Sequence, residues 1–287
     1  MWVSPLIRQI ADLFTAPAGT DATLTTQINT IQQSFLLLSE RFSLLTALSS
    51  MPTGVPSLMA AKLPAISPLG PATGWQVGNP LFALGIWGVM TILGLGLAAF
   101  YQVAVARSVA PAGEVAAALP SWRRFVIMGV LAYLAVLIAG LGTSVVASLA
   151  SLILPVLGFG LAFVAVTIGF WLAIYLAFTP HGIVRYGYGV VRAVLESIQI
   201  VRWNLPSAVG FLAVAFGVTW VTSLVWSLPA DESWFSLLAI LGHAFVSATL
   251  LAASFAFYQG RHEWLQTLRR AVLAQSSGGK TPPGPAA

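Results

Sequence analysis

From Phe125 to Thr179 the chain carries no Asp, Glu, Lys, Arg or His. One membrane crossing takes about 20 apolar residues, so this run is about twice what a single crossing needs and has to fold back. Pro155, with Gly158 and Gly160 after it, marks the hairpin. Proline lacks an N–H, clashes with the preceding helical turn and drives the residue before it out of the helical region. One uncharged stretch therefore predicts two antiparallel helices in an apolar phase.

The remaining composition agrees. The chain is 58% hydrophobic and 7% charged, with a mean hydropathy of +0.89, where a soluble chain carries about 25% charged residues. The apolar runs are long and continuous rather than alternating, which selects helices over a membrane barrel. Spans are expected at 81–105, 125–152, 156–179, 207–228 and 235–258, giving an all-α polytopic helical membrane protein. The absence of cysteine removes disulfides, iron–sulfur clusters and thiolate zinc sites.

The loops orient these spans. Arg107, Arg123, Arg124, Arg185, Arg192, Arg202, Arg261, Arg269, Arg270 and Lys280 gather on one side, against Glu114, Glu196 and Glu263. The other side holds the Pro155 hairpin and a loop with Asp231 and Glu232. The positive-inside rule makes the arginine-rich side cytoplasmic. The expected location is a bacterial inner membrane, with residues 1–80 extracytoplasmic and residues 261–287 a cytoplasmic tail, disordered from 275 onward. Scattered arginines of this kind orient loops; no basic stripe interleaved with aromatics suggests nucleic acid.

Within residues 1–80, the stretch 21–49 is read as a helix outside the bilayer core. Leu24, Ile28, Ile31, Phe35, Leu38, Phe42 and Leu45 step by four and three, an a/d seam that is a candidate interaction surface. The adjacent Glu40 and Arg41 would each cost about 2.5–3.5 kcal/mol at a span centre. Ser4 and Pro5 open a shorter amphipathic helix with Leu6, Ile10 and Leu13 on one face. The Pro/Gly-rich stretch 52–80 is apolar enough to be an ordered loop, a lid or a docking surface. The first twenty residues lack a signal peptide. Either insertion of 81–105 translocates the N-terminal tail, or a sixth span precedes it in an intact form; the second is the expectation.

A second amphipathic helix is expected at 189–204, on the cytoplasmic surface. Val191, Val194, Leu195, Ile198 and Val201 form its apolar side, and Arg192, Glu196 and Gln199 its polar side. Asn204 is expected to cap the following span, with Pro206 opening it. Phe178, Pro180, Gly189, Ala193, Ser197, Val201, Arg202, Asn204, Gly210 and Phe211 carry a resemblance over about residues 160–230. The region resembles the membrane domain of glycerophosphoryl diester phosphodiesterases and of related bacterial multi-span proteins. The catalytic acids and metal ligands of that family belong to a separate barrel domain, so the resemblance implies a membrane fold and no activity.

Chemistry-bearing residues are few. No carboxylate falls within an expected span, which weighs against ion-coupled transport. His243 is the one ionisable residue inside a span; with Trp220 and Thr222 it forms a candidate intramembrane polar site, against the plainer reading of a hydrogen-bonded core histidine. His181 and His262 are expected at the interface, and three histidines on separate elements do not make a metal site. Gly140, Ser144 and Ser148 form a small-residue face suited to close packing, within the chain or with a second copy. The expectation is a non-enzymatic scaffold, assembly or membrane-organising factor without a cofactor. Its partners would be the lipid bilayer and a protein or second copy bound through the 21–49 helix or the Gly140 face. The alternative is a carrier or channel component for an apolar or lipidic substrate.

Overall fold

The computed structural model describes residues 3–13, 25–26, 28–30, 32–34, 36, 44–49, 57–58, 66–67, 70–71, 75–110, 115–116, 118–230 and 233–278. The chain is all-α. In order come α1 (Ser4–Leu13), a 3-10 segment (Leu44–Ser49), a two-residue strand pair β1 (Ile66–Ser67) and β2 (Gly70–Pro71), and then α2 (Pro80–Val109) and α3 (Ala118–Ile153). They are followed by α4 (Pro155–Leu176), α5 (Thr179–Tyr186), α6 (Val190–Trp203), α7 (Leu205–Trp226) and α8 (Phe235–Gly278). β1 and β2 pair antiparallel, Ile66 opposite Pro71 and Ser67 opposite Gly70. Five helical stretches are long and apolar enough to cross a membrane: α2, α3, α4 with α5, α7, and α8 as far as Ala274.

The hairpin forms where proline dictates it. α3 stops at Ile153, Leu154 is extended (φ −152°, ψ 117°), and Pro155 opens α4. A single residue thus separates two long helices. Gly158 lets them close, because a Cβ there would sit 2.6 Å from the Ala147 carbonyl oxygen. The small residues used in this packing are therefore Ala147 and Ser151. Gly140, Ser144 and Ser148 remain exposed, and a Cβ on Gly140 would meet nothing. Packing of that face within the chain, one of the two sequence expectations, is not what the fold uses.

The chain divides into two compact units. One comprises residues 1–102, 125–130 and 216–249; the other comprises 103–124, 131–215 and 250–287. In the first, Val3, Leu44, Val77 and Ala83 form a core joined by Leu6, Ile7 and Ile86. The 3-10 segment does not stay at the start of α2. Gly94, about 21 Å along the helix axis from Pro80, would with a Cβ meet the Leu48 backbone, whose carbonyl carbon would be 2.8 Å away. Of the 24–45 seam, Ile28 lies in a helical stretch and Leu45 in the 3-10 segment. Leu24, Ile31, Phe35, Leu38 and Phe42 lie outside the described residues, as do Glu40 and Arg41.

In the second unit, Ile174, Phe178, Ile200, Val201, Ala208, Tyr258 and Leu265 form the core. Pro180 breaks the helix between α4 and α5, which deprives nearby backbone groups of their usual partners. Ser197 of α6 satisfies two of them. Its hydroxyl donates to the Tyr175 carbonyl at 2.7 Å and accepts from the Phe178 N–H at 3.2 Å. α5 ends on Gly187 in the left-handed region (φ 63°), where a side chain would be strained. α8 continues beyond the expected end of its span, replacing the first part of the expected tail with helix as far as Gly278. That continuation holds because its inner face is buried at His262 and Leu265.

Candidate functional site

The end of the second unit where the arginines gather is built from α5, α6 and α8. α8 presents Ser254, Tyr258, His262, Leu265 and Arg269 at intervals of four, four, three and four, which is one helical face. Tyr258, His262 and Leu265 are buried. α6 presents Ala193, Glu196, Ser197, Ile200 and Val201, all buried, at helical spacing. From Thr179 to Arg185, α5 is buried throughout.

The expected faces of α6 hold at Val201, which is buried, and at Arg192 and Gln199, which are exposed, and fail at three other positions. Val191 and Leu195 are exposed, and Glu196 is 6% exposed. The physical cause is pairing: a carboxylate can be buried where charged donors meet it. His262 Nδ1 lies 3.1 Å from Glu196 Oε1, and Arg269 Nη2 lies 3.3 Å from Glu196 Oε2. Arg269 also donates to Gln199 Oε1. The close contact with His262 holds the Glu196 carboxyl below the usual range; burial opposes that shift and the Arg269 charge adds to it.

Aromatic rings surround the ion cluster. His262 stacks on Tyr186 with centroids 4.2 Å apart. Arg192 lies over Tyr188 at 4.0 Å, a distance suited to cation–π attraction. Burial raises the Tyr188 phenol, with Arg192 pulling the other way. Asn204 does not cap α7 with its side chain as expected: its amide donates back to the Ile200 carbonyl, and its Oδ1 faces Arg261 Nη1 at 3.5 Å.

Deeper in the same unit, His181 Nε2 lies 2.6 Å from Ser254 Oγ. The Ser254 hydroxyl also contacts the Leu251 carbonyl at 2.7 Å. With the one hydroxyl proton donated there, His181 Nε2–H is the donor to Ser254 Oγ. The rings of Phe178, Phe255 and Tyr258 enclose the imidazole, with Phe255 nearest at 4.5 Å. Thr179 Oγ1, His181 Nδ1 and Tyr258 Oη are buried and have no hydrogen-bond partner among the described residues. His181 and His262 are thus both packed among helices of the second unit.

The expected polar site fares differently. His243 is buried. Trp220 is 59% exposed, and the Thr222 hydroxyl donates to Val218 within its own helix. Trp220 and Thr222 are two residues apart in one helix and cannot share a face. The structure does not gather the three. Among the described residues no group of three His, Asp or Glu side chains could hold a metal ion.

Between α5 and α8 lies a groove of about 360 Å³, lined by Arg185, Tyr186, His262, Glu263, Gln266, Thr267 and Arg270. Glu263 sets a carboxylate beside the two arginines of this lining, and the Thr267 hydroxyl is donated to the Glu263 carbonyl at 3.0 Å. Sequence reasoning missed this site because its partners come from distant segments. The one available signal was the four-residue spacing of Ser254, Tyr258 and His262. No protein-family model matches this chain, and no curated protein or solved structure matches it.

Proposed function

We propose that the chain is a non-enzymatic scaffold or assembly factor in a bacterial inner membrane, with its arginine-rich end cytoplasmic and residues 1–80 on the other side. The observation that carries this reading is that four polar side chains at the arginine-rich end engage one another across two helices. Glu196, His262, Arg269 and Gln199 fasten the amphipathic helix α6 to α8, and α6 turns Val191 and Leu195 outward. A buried ion cluster used in this way fixes geometry. The resemblance of residues 160–230 to the phosphodiesterase membrane domain is consistent with a module that anchors and organises.

The α3–α4 hairpin supplies the contact surface. Only 17% of the most apolar window of α3 and 6% of that of α4 and α5 are buried. The bare Gly140, Ser144 and Ser148 face suits a second copy, since small residues let helix backbones approach where lipid gives no hydrophobic drive. A carrier for an apolar substrate is less well supported, because His243, Trp220 and Thr222 do not converge. The test is cysteine cross-linking in native membranes. Ser144→Cys should give a covalent dimer under mild oxidation, and Val146→Cys, exposed but about 200° around the helix from Ser144, should not. Only monomer from both variants would contradict self-association through this face.

A further inference from the structure

The 3-10 segment Leu44–Ser49 touches α2 well below the end where residues 1–80 are expected to stay. We infer that it is a re-entrant segment: it enters the hydrocarbon core from the side of Pro80, seats on α2 near mid-depth, and leaves by the same side. The inference rests on the membrane reading of α2 but not on the scaffold role, and it takes these six residues out of the outer cap.

Depth follows from the length of α2. Gly94 is about 21 Å along the axis from Pro80 and about 20 Å from Arg107, while the hydrocarbon core is about 30 Å thick. With Pro80 at one boundary, Gly94 is about 9 Å inside the other. With Arg107 at its own boundary, Gly94 is about 10 Å inside the outer one. Moderate tilt of α2 brings Gly94 nearer the centre. The Leu48 backbone packs on Gly94, where a Cβ would stand 2.8 Å from the Leu48 Cα. Leu48 therefore lies inside the core.

The path doubles back. Leu44, before the contact, and Val77, after it, both belong to the core that includes Ala83 near the start of α2. Between Ser49 and Val77 there is too little chain for one helix to finish the crossing and another to return, which takes about 30 residues before any turn.

The chemistry of the seat agrees. The segment LLTALS carries no charge, so the core accepts it, and the Ser49 hydroxyl donates to the Thr46 carbonyl at 2.8 Å. Backbone that is not α-helical persists at this depth only where it is packed in protein or lines water. α2 supplies the packing: Thr91, Gly94 and Ala98, at intervals of three and four on one face, are all buried. Gly94 has no side chain to hold a second backbone away. Thr91, one turn nearer Pro80, has a buried hydroxyl with no hydrogen-bond partner among the described residues. A hydroxyl at this depth is costly against lipid and suits the arrival of a polar backbone beside it.

The test uses the full chain in phosphatidylcholine vesicles, with a nitroxide on Thr46→Cys or, separately, on Ser49→Cys; the chain has no cysteine of its own. Collision of each label with oxygen, which concentrates in lipid, and with a water-soluble nickel chelate reads its depth. Ile138→Cys, an exposed position in α3, is the lipid standard. Asp231→Cys, between α7 and α8 in sequence, is the water standard. Both segment labels should lose nickel collision as Ile138→Cys does, and adding Gly94→Leu should restore it. Nickel collision at both positions equal to that of Asp231→Cys would overturn the inference and return residues 44–49 to an outer cap. Labels left unmoved by Gly94→Leu would overturn the seat on α2. Nickel contact at Ile138→Cys as well would defeat the membrane reading, and the inference with it.

Discussion

Glu196 and His262 meet at 3.1 Å across two helices, and each is 6% exposed. This contact joins α6 to the C-terminal half of α8, the longest helix among the described residues. It explains why α6 buries Glu196 among Ala193, Ile200 and Val201. A carboxylate removed from water needs donors, and α8 brings them.

Removing that carboxylate should loosen α6. In Glu196→Ala, His262 and Arg269 would lose their shared acceptor, a change that costs about 3–5 kcal/mol for fully buried pairs. The Arg269 side chain is 38% exposed, and solvent screening lowers the expectation to about 2 kcal/mol. Thermal unfolding in detergent should show the loss, with Glu196→Gln intermediate. An unchanged midpoint would mean the cluster is ornamental.

The same pair gives a pH dependence of definite sign. The folded Glu196 carboxyl is held below its ordinary value by its contact with His262, so the unfolded state binds protons more readily. The stabilisation is therefore present above the unfolded value, about 4.3, and is lost as pH falls through the lower folded value. The groups facing Glu196 are His262 and Arg269 from α8, with Gln199, Arg192 and Tyr188 near it. Hydrogen exchange in α6 should stay slow at neutral pH and rise below about pH 4. Glu196→Gln should remove that dependence; persistence of the full dependence in the variant would assign it elsewhere.

Ser197 makes a separate prediction, because it closes the gap left by Pro180. Ser197→Ala would leave the Tyr175 carbonyl and Phe178 N–H without this partner in a buried setting. The expected cost is about 1–3 kcal/mol, read again by unfolding in detergent. Ser197→Thr, which keeps the hydroxyl, should be milder if the extra methyl fits. A loss from Ala no larger than from Thr would show that packing, not hydrogen bonding, holds the junction.

How much of this was legible in the sequence depends on the range of the interaction. The span boundaries follow from local hydropathy and from proline, so the break at Leu154 and Pro155 emerges where the sequence places it. Glu196 looked solvent-facing because its donors lie on α8, far along the chain; the partner of His181, Ser254, is equally distant. The small-residue face at Gly140 has the right period, but period alone does not say which register packs, and Ala147 with Ser151 does so. The resemblance positions Phe178, Ala193, Ser197 and Val201 prove to be the buried contacts that join α4, α5 and α6. Their pattern carries packing.

Gly94 yields a prediction about the first unit. Because Leu48 backbone rests against it, Gly94→Leu should expel residues 44–49 from the side of α2 and leave the core around Phe178 and Tyr258 intact. A Leu48→Cys probe should be shielded from a water-soluble maleimide in the parent and labelled once Gly94→Leu is added. Equal labelling in both backgrounds would refute the contact.

The claim beneath all of this is that the apolar helices cross a bilayer with the arginines on the cytoplasmic side. The chain has no cysteine, so single substitutions report one position each. Lys62→Cys and Asp231→Cys should react with an impermeant maleimide applied outside intact cells, and Arg123→Cys and Arg192→Cys should react only in inverted vesicles. Labelling of Lys62→Cys and Arg192→Cys from the same side would contradict it.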